Sequence, residues 1–120
     1  MSFKEKIEKI EGMDYDTALM NSAGEEDFLK EIMGDICDEC DMRTERMRSL
    51  IASDDIKNYA VEAHALKGLM ATVGVSGISE HARKHEMEAK EGNAAWVRED
   101  CEALLKEYRE ICDAFRQIIQ

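Results

Sequence analysis

Apolar residues recur at alternating spacings of three and four along the second half of the chain, and this periodicity constrains the fold more than any other feature. One stripe comprises Ile56, Tyr59, Ala63, Leu66, Met70 and Val73. Another comprises Val97, Cys101, Leu104, Tyr108, Ile111, Phe115 and Ile118. Residues at these spacings share one face of an α-helix, and that face must be buried against other helices. The pattern therefore predicts an antiparallel bundle of helices.

Turn residues and helix caps divide the bundle into four main helices. The first is expected from Glu25 to Ile51. The second begins with Ser53 as its N-cap and runs to about Val73, before Gly74 at the C′ position. The third runs from Ser76 to about Glu91, and the fourth continues to the C-terminus. Further inward-facing positions are Leu29, Ile32, Ile36, Cys40, Met47 and Leu50 on the first helix and Ile78, Ala82, His85 and Ala89 on the third.

Residues 1–22 precede the bundle as a short helical extension. Two short helices are expected there, at Phe3–Glu11 and at about Tyr15–Asn21, the second with Asp14 as its N-cap. The 120 residues contain no proline, linker or internal repeat, so we interpret them as one domain with the bundle at residues 25–119. The predicted fold class is all-α: an antiparallel up-down four-helix bundle with a short N-terminal helical extension.

The charge and hydropathy of the chain disfavour several classes of partner. Its formal net charge of −11 opposes binding to nucleic acid or to an anionic membrane surface, because both present negative phosphates. No apolar run approaches the ~20 residues of a membrane span, and the acidic, amphipathic N-terminus differs from a signal peptide. The four cysteines fall at apolar helix positions, as is usual in a reducing compartment. We therefore expect a cytoplasmic protein, and a monomer.

His64 lies one residue beyond the apolar stripe and therefore on the flank of its helix. Its neighbour Ala63 belongs to the stripe, and one residue rotates the helix by about 100 degrees. Small apolar residues around an exposed histidine indicate a docking surface. The residues that share this face with His64 are Ala60, Val61, Gly68 and Ala71.

Two neighbours of His64 favour a phosphoryl-carrying role for it. Gly68 lies four residues later on the same face, where a glycine costs about 1 kcal/mol relative to alanine but leaves the imidazole open. Lys67 lies three residues later and supplies a cation for phosphoryl oxygens. One imidazole nitrogen can act as the nucleophile while a hydrogen bond holds the other. The alternative is an ordinary surface histidine beside a tolerated glycine and a solvated lysine.

Two other groups of residues have side chains that occur in redox or metal-binding sites. Cys37 and Cys40 form a C-x-x-C within a predicted helix, where two small core residues are favoured over a redox motif. His81 and His85 are four residues apart, so they share a helix face and can bind a metal, with Glu88 close in sequence. Because no second ligand cluster accompanies them, we predict no metal site and interpret one or both histidines as partly buried and hydrogen-bonded.

The segment Ala63-His64-Ala65-Leu66-Lys67-Gly68, followed by Val73-Gly74, resembles the motif of the histidine-containing phosphotransfer (HPt) domain family. The resemblance extends over about residues 13–115. Its further matches are Met13-Asp14, Ala23-Gly24-Glu25-Glu26 and Phe28-Leu29 upstream, and Ile78, Ala82 and Glu86 downstream. Leu69 and Met70 depart from the small residues that commonly follow the Lys-Gly pair, which leaves the choice of partner open.

The resemblance implies a phosphorelay intermediate of two-component signalling. His64 would be the phosphoacceptor, Lys67 would support the phosphoryl group, Gly68 would give access, and Glu86 would orient the imidazole. The phosphoryl group would come from the aspartyl phosphate of a receiver domain, in a response regulator or a hybrid histidine kinase, and would pass to another receiver.

The expected protein is a phosphocarrier rather than an enzyme, because the chain has no glycine-rich nucleotide-binding box and therefore no autokinase activity. No cofactor is expected on this chain, since the divalent cation belongs to the partner receiver. Met1 and the N-terminal extension favour a free-standing protein. Two alternatives are a helical interaction module without the chemistry, and a metal-binding bundle that uses His81, His85 or the cysteines.

Overall fold

The computed structural model describes all 120 residues, which form six helices and no strand. The helices are α1 (Phe3–Glu8), α2 (Tyr15–Met20), α3 (Glu26–Ala52), α4 (Ile56–Thr72), α5 (Ser76–Lys90) and α6 (Ala94–Ile119). The predicted all-α fold, with four main helices after two short ones, is confirmed. No helix combines the length and the hydrophobicity that crossing a lipid bilayer requires.

Helices α3 to α6 form an up-down bundle because their connections are too short for a crossover. Three residues separate each of these helices from the next. Helices joined so tightly run antiparallel to their neighbours. The most extensive contact is between α4 and α5, and the contact between α3 and α6 closes the ring of four. The predicted antiparallel arrangement is therefore confirmed.

The predicted apolar stripes form the core of this bundle. Every member of the second-helix stripe is buried except Ile56, and every member of the last-helix stripe is buried except Ile118; these two are half-buried. The core also contains residues outside the predicted stripes, among them Met33, Cys37, Leu105 and Cys112. All four cysteines are free and buried. This confirms that the C-x-x-C segment contributes two core residues.

The start of α4 corrects one predicted cap. Ser53 is predicted as the N-cap of α4, but it is the C-cap of α3, which continues to Ala52. Asp54 then adopts a left-handed φ of 60°. Asp55 caps α4 by accepting a hydrogen bond from the backbone N–H of Asn58. Asp54 lies in the turn that reverses the chain between α3 and α4, so the N-cap of α4 is two positions later than predicted.

The N-terminal extension is built into the core. Helices α3 and α6 contain 27 and 26 residues, whereas α4 and α5 contain 17 and 15. The long helices therefore extend beyond the α4–α5 hairpin by roughly 15 Å. Helix α1 contacts α6 and α2 contacts α3 at this end, with Ile7 and Ala18 fully buried. The extension thus completes the bundle where the hairpin is too short.

Two details of the extension differ from the prediction. Helix α1 ends at Glu8 rather than near Glu11, because the chain turns before Gly12, which has a φ of +83°. Asp14 is the N-cap of α2 as predicted, but its carboxylate accepts a hydrogen bond from the hydroxyl of Thr17 and not from a backbone amide.

Gly74 joins the extension to the turn between α4 and α5. Its φ of +75° lies in the left-handed region that favours glycine, as its predicted C′ position requires. The N–H of Asp14 donates to the carbonyl oxygen of Gly74 at 2.9 Å. A Cβ atom at Gly74 would collide with the carbonyl oxygen of Asp14. The conformation and the contact therefore both exclude a side chain.

We predict that Gly74→Ala lowers the free energy of unfolding by about 2–3 kcal/mol, because it adds a collision to an unfavourable φ. The matched control is Gly92→Ala, at a φ of +83° with no atom within 4 Å of the added Cβ. This control is expected to lose about 1 kcal/mol. Urea unfolding of both variants measures the difference, and equal losses would contradict the role of the contact with Asp14.

Candidate functional site

His64 is exposed on α4, as its offset from the apolar stripe predicts. Its side chain retains 65% of its accessible surface, whereas the adjacent Ala63 is fully buried. Gly68, one turn later, is also exposed, and a Cβ atom added there would meet no atom within 4 Å. The face of the imidazole that points away from the bundle is therefore open to an approaching molecule.

A buried carboxylate on α5 holds the inner nitrogen of His64. Nδ1 of His64 lies 2.9 Å from Oε2 of Glu86, whose side chain is only 7% exposed. Lys67 donates to Oε1 of Glu86 at 2.9 Å, and Lys90 donates to Oε2 at 2.7 Å. Glu86 thus joins one residue of its own helix to two residues of α4.

The charge of Glu86 defines the tautomer of His64. Burial raises the pKa of the Glu86 carboxyl, but hydrogen bonds from Lys90, Lys67 and His64 outweigh this effect and lower the pKa to about 2. The carboxylate therefore has no proton to donate near neutral pH, and Nδ1 of His64 must be the donor. In the neutral ring, Nε2 then carries the lone pair and is free to act as a nucleophile.

Helix α5 packs against α4 and positions Glu86 within reach of His64. Ser79, near the start of α5, donates from its hydroxyl to the carbonyl oxygen of Lys67 at 2.9 Å. Two turns further along α5, Glu86 faces α4, and Lys90 follows one turn later on the same face. Lys90 is the residue of this site that the sequence analysis missed. Its signal was the four-residue spacing from Glu86.

An open groove of ≈ 850 Å³ runs beside His64, between the first half of α4 and the last half of α5. Val61 lines it and is 63% exposed. Ala60 also lines it but is only 4% exposed, so the expectation that Ala60 lies outside the core is wrong: packing of α5 covers that side of α4. Ala71 is exposed and lies beyond His64, outside the groove.

The other two histidines, His81 and His85, lie on a different face of α5 from Glu86 and contact Asp100 of α6. His85 is fully buried, as predicted, and His81 is half-buried. Burial lowers the pKa of His81, but its hydrogen bonds with Glu107 and Asp100 outweigh this effect and raise it. Burial also lowers the pKa of His85, and here it prevails. Asp100 and Glu107 were not predicted, because only the packing of α6 on α5 brings them to these histidines.

The comparison with known families agrees with this geometry. The model of the Hpt domain matches residues 31–118, and the protein therefore belongs to the Hpt domain family. Hpt domains are phosphocarriers that exchange phosphoryl groups with receiver domains in two-component phosphorelays. No curated protein and no solved structure matches the chain significantly.

We predict that Glu86→Gln makes the free energy of unfolding less dependent on pH in the acid range. The folded-state pKa of Glu86 is about 2 against an ordinary value of 4.5, so the unfolded chain binds this proton more readily. The resulting stability is present above pH 4.5 and is lost as the pH falls towards 2. Urea unfolding across this range should show a smaller loss in Glu86→Gln than in the wild type. The control Glu91→Gln, at an exposed position, should lose as much as the wild type, and a parallel curve for Glu86→Gln would contradict the assignment.

Proposed function

We propose that this protein is a phosphorelay intermediate that accepts a phosphoryl group on His64 from the aspartyl phosphate of a receiver domain and passes it to another receiver. The observation that carries the proposal is the pairing of an exposed Nε2 with an Nδ1 held 2.9 Å from the buried carboxylate of Glu86. Such pairing fixes both the orientation of the ring and the nitrogen that reacts.

The transfer needs no proton from the reacting nitrogen. The lone pair of Nε2 attacks phosphorus, the bond between phosphorus and the aspartyl oxygen breaks, and the aspartate leaves as a carboxylate. The imidazole keeps its proton on Nδ1 and gains positive charge as the P–N bond forms. The carboxylate of Glu86 stabilises that charge because it is already in place and shielded from water. The reverse steps deliver the group to a second aspartate.

The cations around Glu86 favour an anionic group at His64. Lys67 and Lys90 together carry two positive charges against the single negative charge of Glu86, so the cluster is net positive while His64 is neutral. The side chains of Lys67 and Lys90 are 30% and 65% exposed, so both can turn towards phosphoryl oxygens. Lys90 would therefore share the role predicted for Lys67, which is to support the phosphoryl group. Most of the catalytic electrostatics would come from the receiver and its divalent cation.

A receiver would dock on the groove beside His64 and on the exposed face of α4 that continues to Ala71. The apolar lining of the groove comes mainly from α4 and the end of α5, and includes Ile56, Val61 and Ala89. Relay partners must separate after each transfer, so we expect a small interface and micromolar affinity. Within this proposal the protein is a cytoplasmic monomer that carries the phosphoryl group without autokinase activity.

A labelling experiment tests the function. Purified receiver domains are phosphorylated with radiolabelled acetyl phosphate and Mg²⁺ and then mixed with the wild type, with His64→Gln or with His81→Gln. Acid-labile, alkali-stable label should appear on the wild type and on His81→Gln, and should be absent from His64→Gln. Label on His64→Gln would overturn the assignment of His64. Absence of label on the wild type from every receiver that binds it would favour the interaction module without chemistry.

We predict that Gly68→Leu preserves the fold but slows phosphotransfer at least about 10-fold. A side chain four residues after His64 leans back along the helix over the imidazole. Stability should rise by about 0.5–1 kcal/mol, since leucine has the higher helix propensity. The transfer rate is measured with quenched time courses of phosphotransfer, and the stability is measured by thermal melting. Gly77→Leu, at another helical glycine with open space around it, is the control and should transfer normally. Normal transfer by Gly68→Leu would show that Gly68 does not control access.

We predict that Val61→Glu and Ala71→Glu each weaken receiver binding about 10-fold or more, because each places an unpaired charge on the face around His64. Ala103→Glu adds the same charge at an exposed position of α6 and serves as the control. Titration calorimetry with a receiver that labels the wild type measures the affinities, and circular dichroism checks the fold. Equal weakening by all three variants would indicate a general charge effect rather than a docking surface.

A further inference from the structure

A second cluster of titratable side chains lies between α5 and α6, on a different face of α5 from Glu86. Oδ2 of Asp100 is 2.5 Å from Nε2 of His81 and 2.9 Å from Nε2 of His85. One potential ligand atom from each of these residues lies within 4.8 Å of the other two. The proposed phosphotransfer step uses none of these three residues. The four-residue spacing of the histidines was visible in the sequence, but the third group comes from a different helix.

We propose that this cluster is a zinc site in which His81 and His85 bind one Zn²⁺ through Nε2 and Asp100 binds it through a carboxylate oxygen. Two imidazoles and one carboxylate form a common three-residue ligand set for Zn²⁺, with a fourth position open to water. The set combines an i, i+4 pair on α5 with a residue of α6, so the ion would join the two helices.

Two of the three ligand distances are slightly shorter than zinc requires, and the ligand atoms of all three residues lie within 4.8 Å of one another. Tetrahedral Zn²⁺ with bonds of about 2.0–2.1 Å separates its ligand atoms by about 3.3 Å. The two contacts of Asp100 must therefore lengthen by about 0.4–0.8 Å to admit the ion. The side chain of Asp100 is 32% exposed and that of His81 is 21% exposed, so both can move outwards. His85 is fully buried and provides the fixed ligand.

The outer contacts of the histidines match those of a zinc site. Zinc-bound histidines usually donate their second N–H to a carboxylate or another oxygen, which fixes the ring. Nδ1 of His81 lies 2.7 Å from Oε1 of Glu107, and Nδ1 of His85 lies 2.9 Å from the hydroxyl of Tyr59. Both Nδ1 atoms therefore have an oxygen partner while both Nε2 atoms point to one place. When zinc binds, each ring keeps one proton on Nδ1, so that the Nε2 lone pair faces the ion, and any further proton held by the rings or by Asp100 leaves to solvent.

Charge and packing at the cluster also favour a cation. Asp100 and Glu107 contribute two negative charges, and Tyr59 and His85 are buried beside them. The half-buried ring of Trp96 lies 4.8 Å from the ring of His85 and packs against it. An ion that binds here stabilises the folded chain, because the unfolded chain has no preformed site.

Metal titration tests the proposal. Untagged protein is treated with a chelator, dialysed and titrated with ZnCl₂ by calorimetry, while CoCl₂ is followed by visible absorption. We expect one ion per chain, the intense visible bands of tetrahedral Co²⁺, and a rise in melting temperature of several degrees with Zn²⁺. Absence of binding at one ion per chain would overturn the proposal.

Variants locate the bound ion. His81→Ala and Asp100→Asn remove partly exposed ligands and should weaken binding roughly 100-fold or more, whereas Glu107→Gln removes an outer contact and should weaken it about 10–100-fold. His64→Gln is the matched control with the third histidine removed and should bind as the wild type does. Wild-type affinity in His81→Ala and Asp100→Asn, or a thiolate-to-cobalt band in the near ultraviolet, would place the ion elsewhere and overturn the proposal. Circular dichroism of each variant without metal verifies that it is folded.

Discussion

The buried carboxylate of Glu86 is the interaction on which the candidate phosphotransfer site depends. A charge with only 7% of its side chain exposed is strongly destabilising unless it is paired and hydrogen-bonded. Here Lys67, Lys90 and the Nδ1–H of His64 supply three donors to its two oxygens. Because two of these donors belong to α4, the pairing that makes the buried charge tolerable also fixes the position of α4 relative to α5. The same contact selects the tautomer of His64, so one carboxylate serves both the fold and the proposed chemistry.

Helix α5 uses adjacent residues for two different tasks. Glu86 faces α4, whereas His85 faces α6 and Tyr59, since consecutive residues of a helix point about 100 degrees apart. The two clusters therefore share a backbone segment, but no hydrogen bond joins their side chains. A metal ion held by His85 would stiffen the helix that carries Glu86 without touching His64. This separation would allow the proposed metal binding and the proposed phosphoryl transfer to be measured independently in the same protein.

Most of the fold could be predicted from the sequence because local periodicity determines it. The stripes of α4 and α6 and the left-handed Gly74 are properties of short segments, and the structure has them where the sequence predicts them. The prediction that Ser53 is the N-cap of α4 is wrong, because the length of the turn between α3 and α4 depends on how these helices pack. His64 was correctly predicted to be exposed from its one-residue offset. The contacts of Asp100 and Glu107 with His81 were not predictable, since they depend on the relative rotation of α5 and α6, which no local pattern specifies.

Gly68 shows how the structure separates a packing requirement from a functional one. Its φ is not in the left-handed region and an added Cβ would meet nothing within 4 Å, so the folded chain itself would accept alanine and gain about 1 kcal/mol. Gly77 is equally unconstrained by its neighbours, so the open space around Gly68 does not by itself indicate a role. What distinguishes Gly68 is that it lies one turn from an exposed histidine whose inner nitrogen is held by a buried carboxylate. An added Cβ would meet no atom of the protein within 4 Å, whereas a longer side chain would lean over the imidazole and obstruct a molecule that approaches Nε2. The cost of this glycine therefore accords with the reaction partner that we propose for His64.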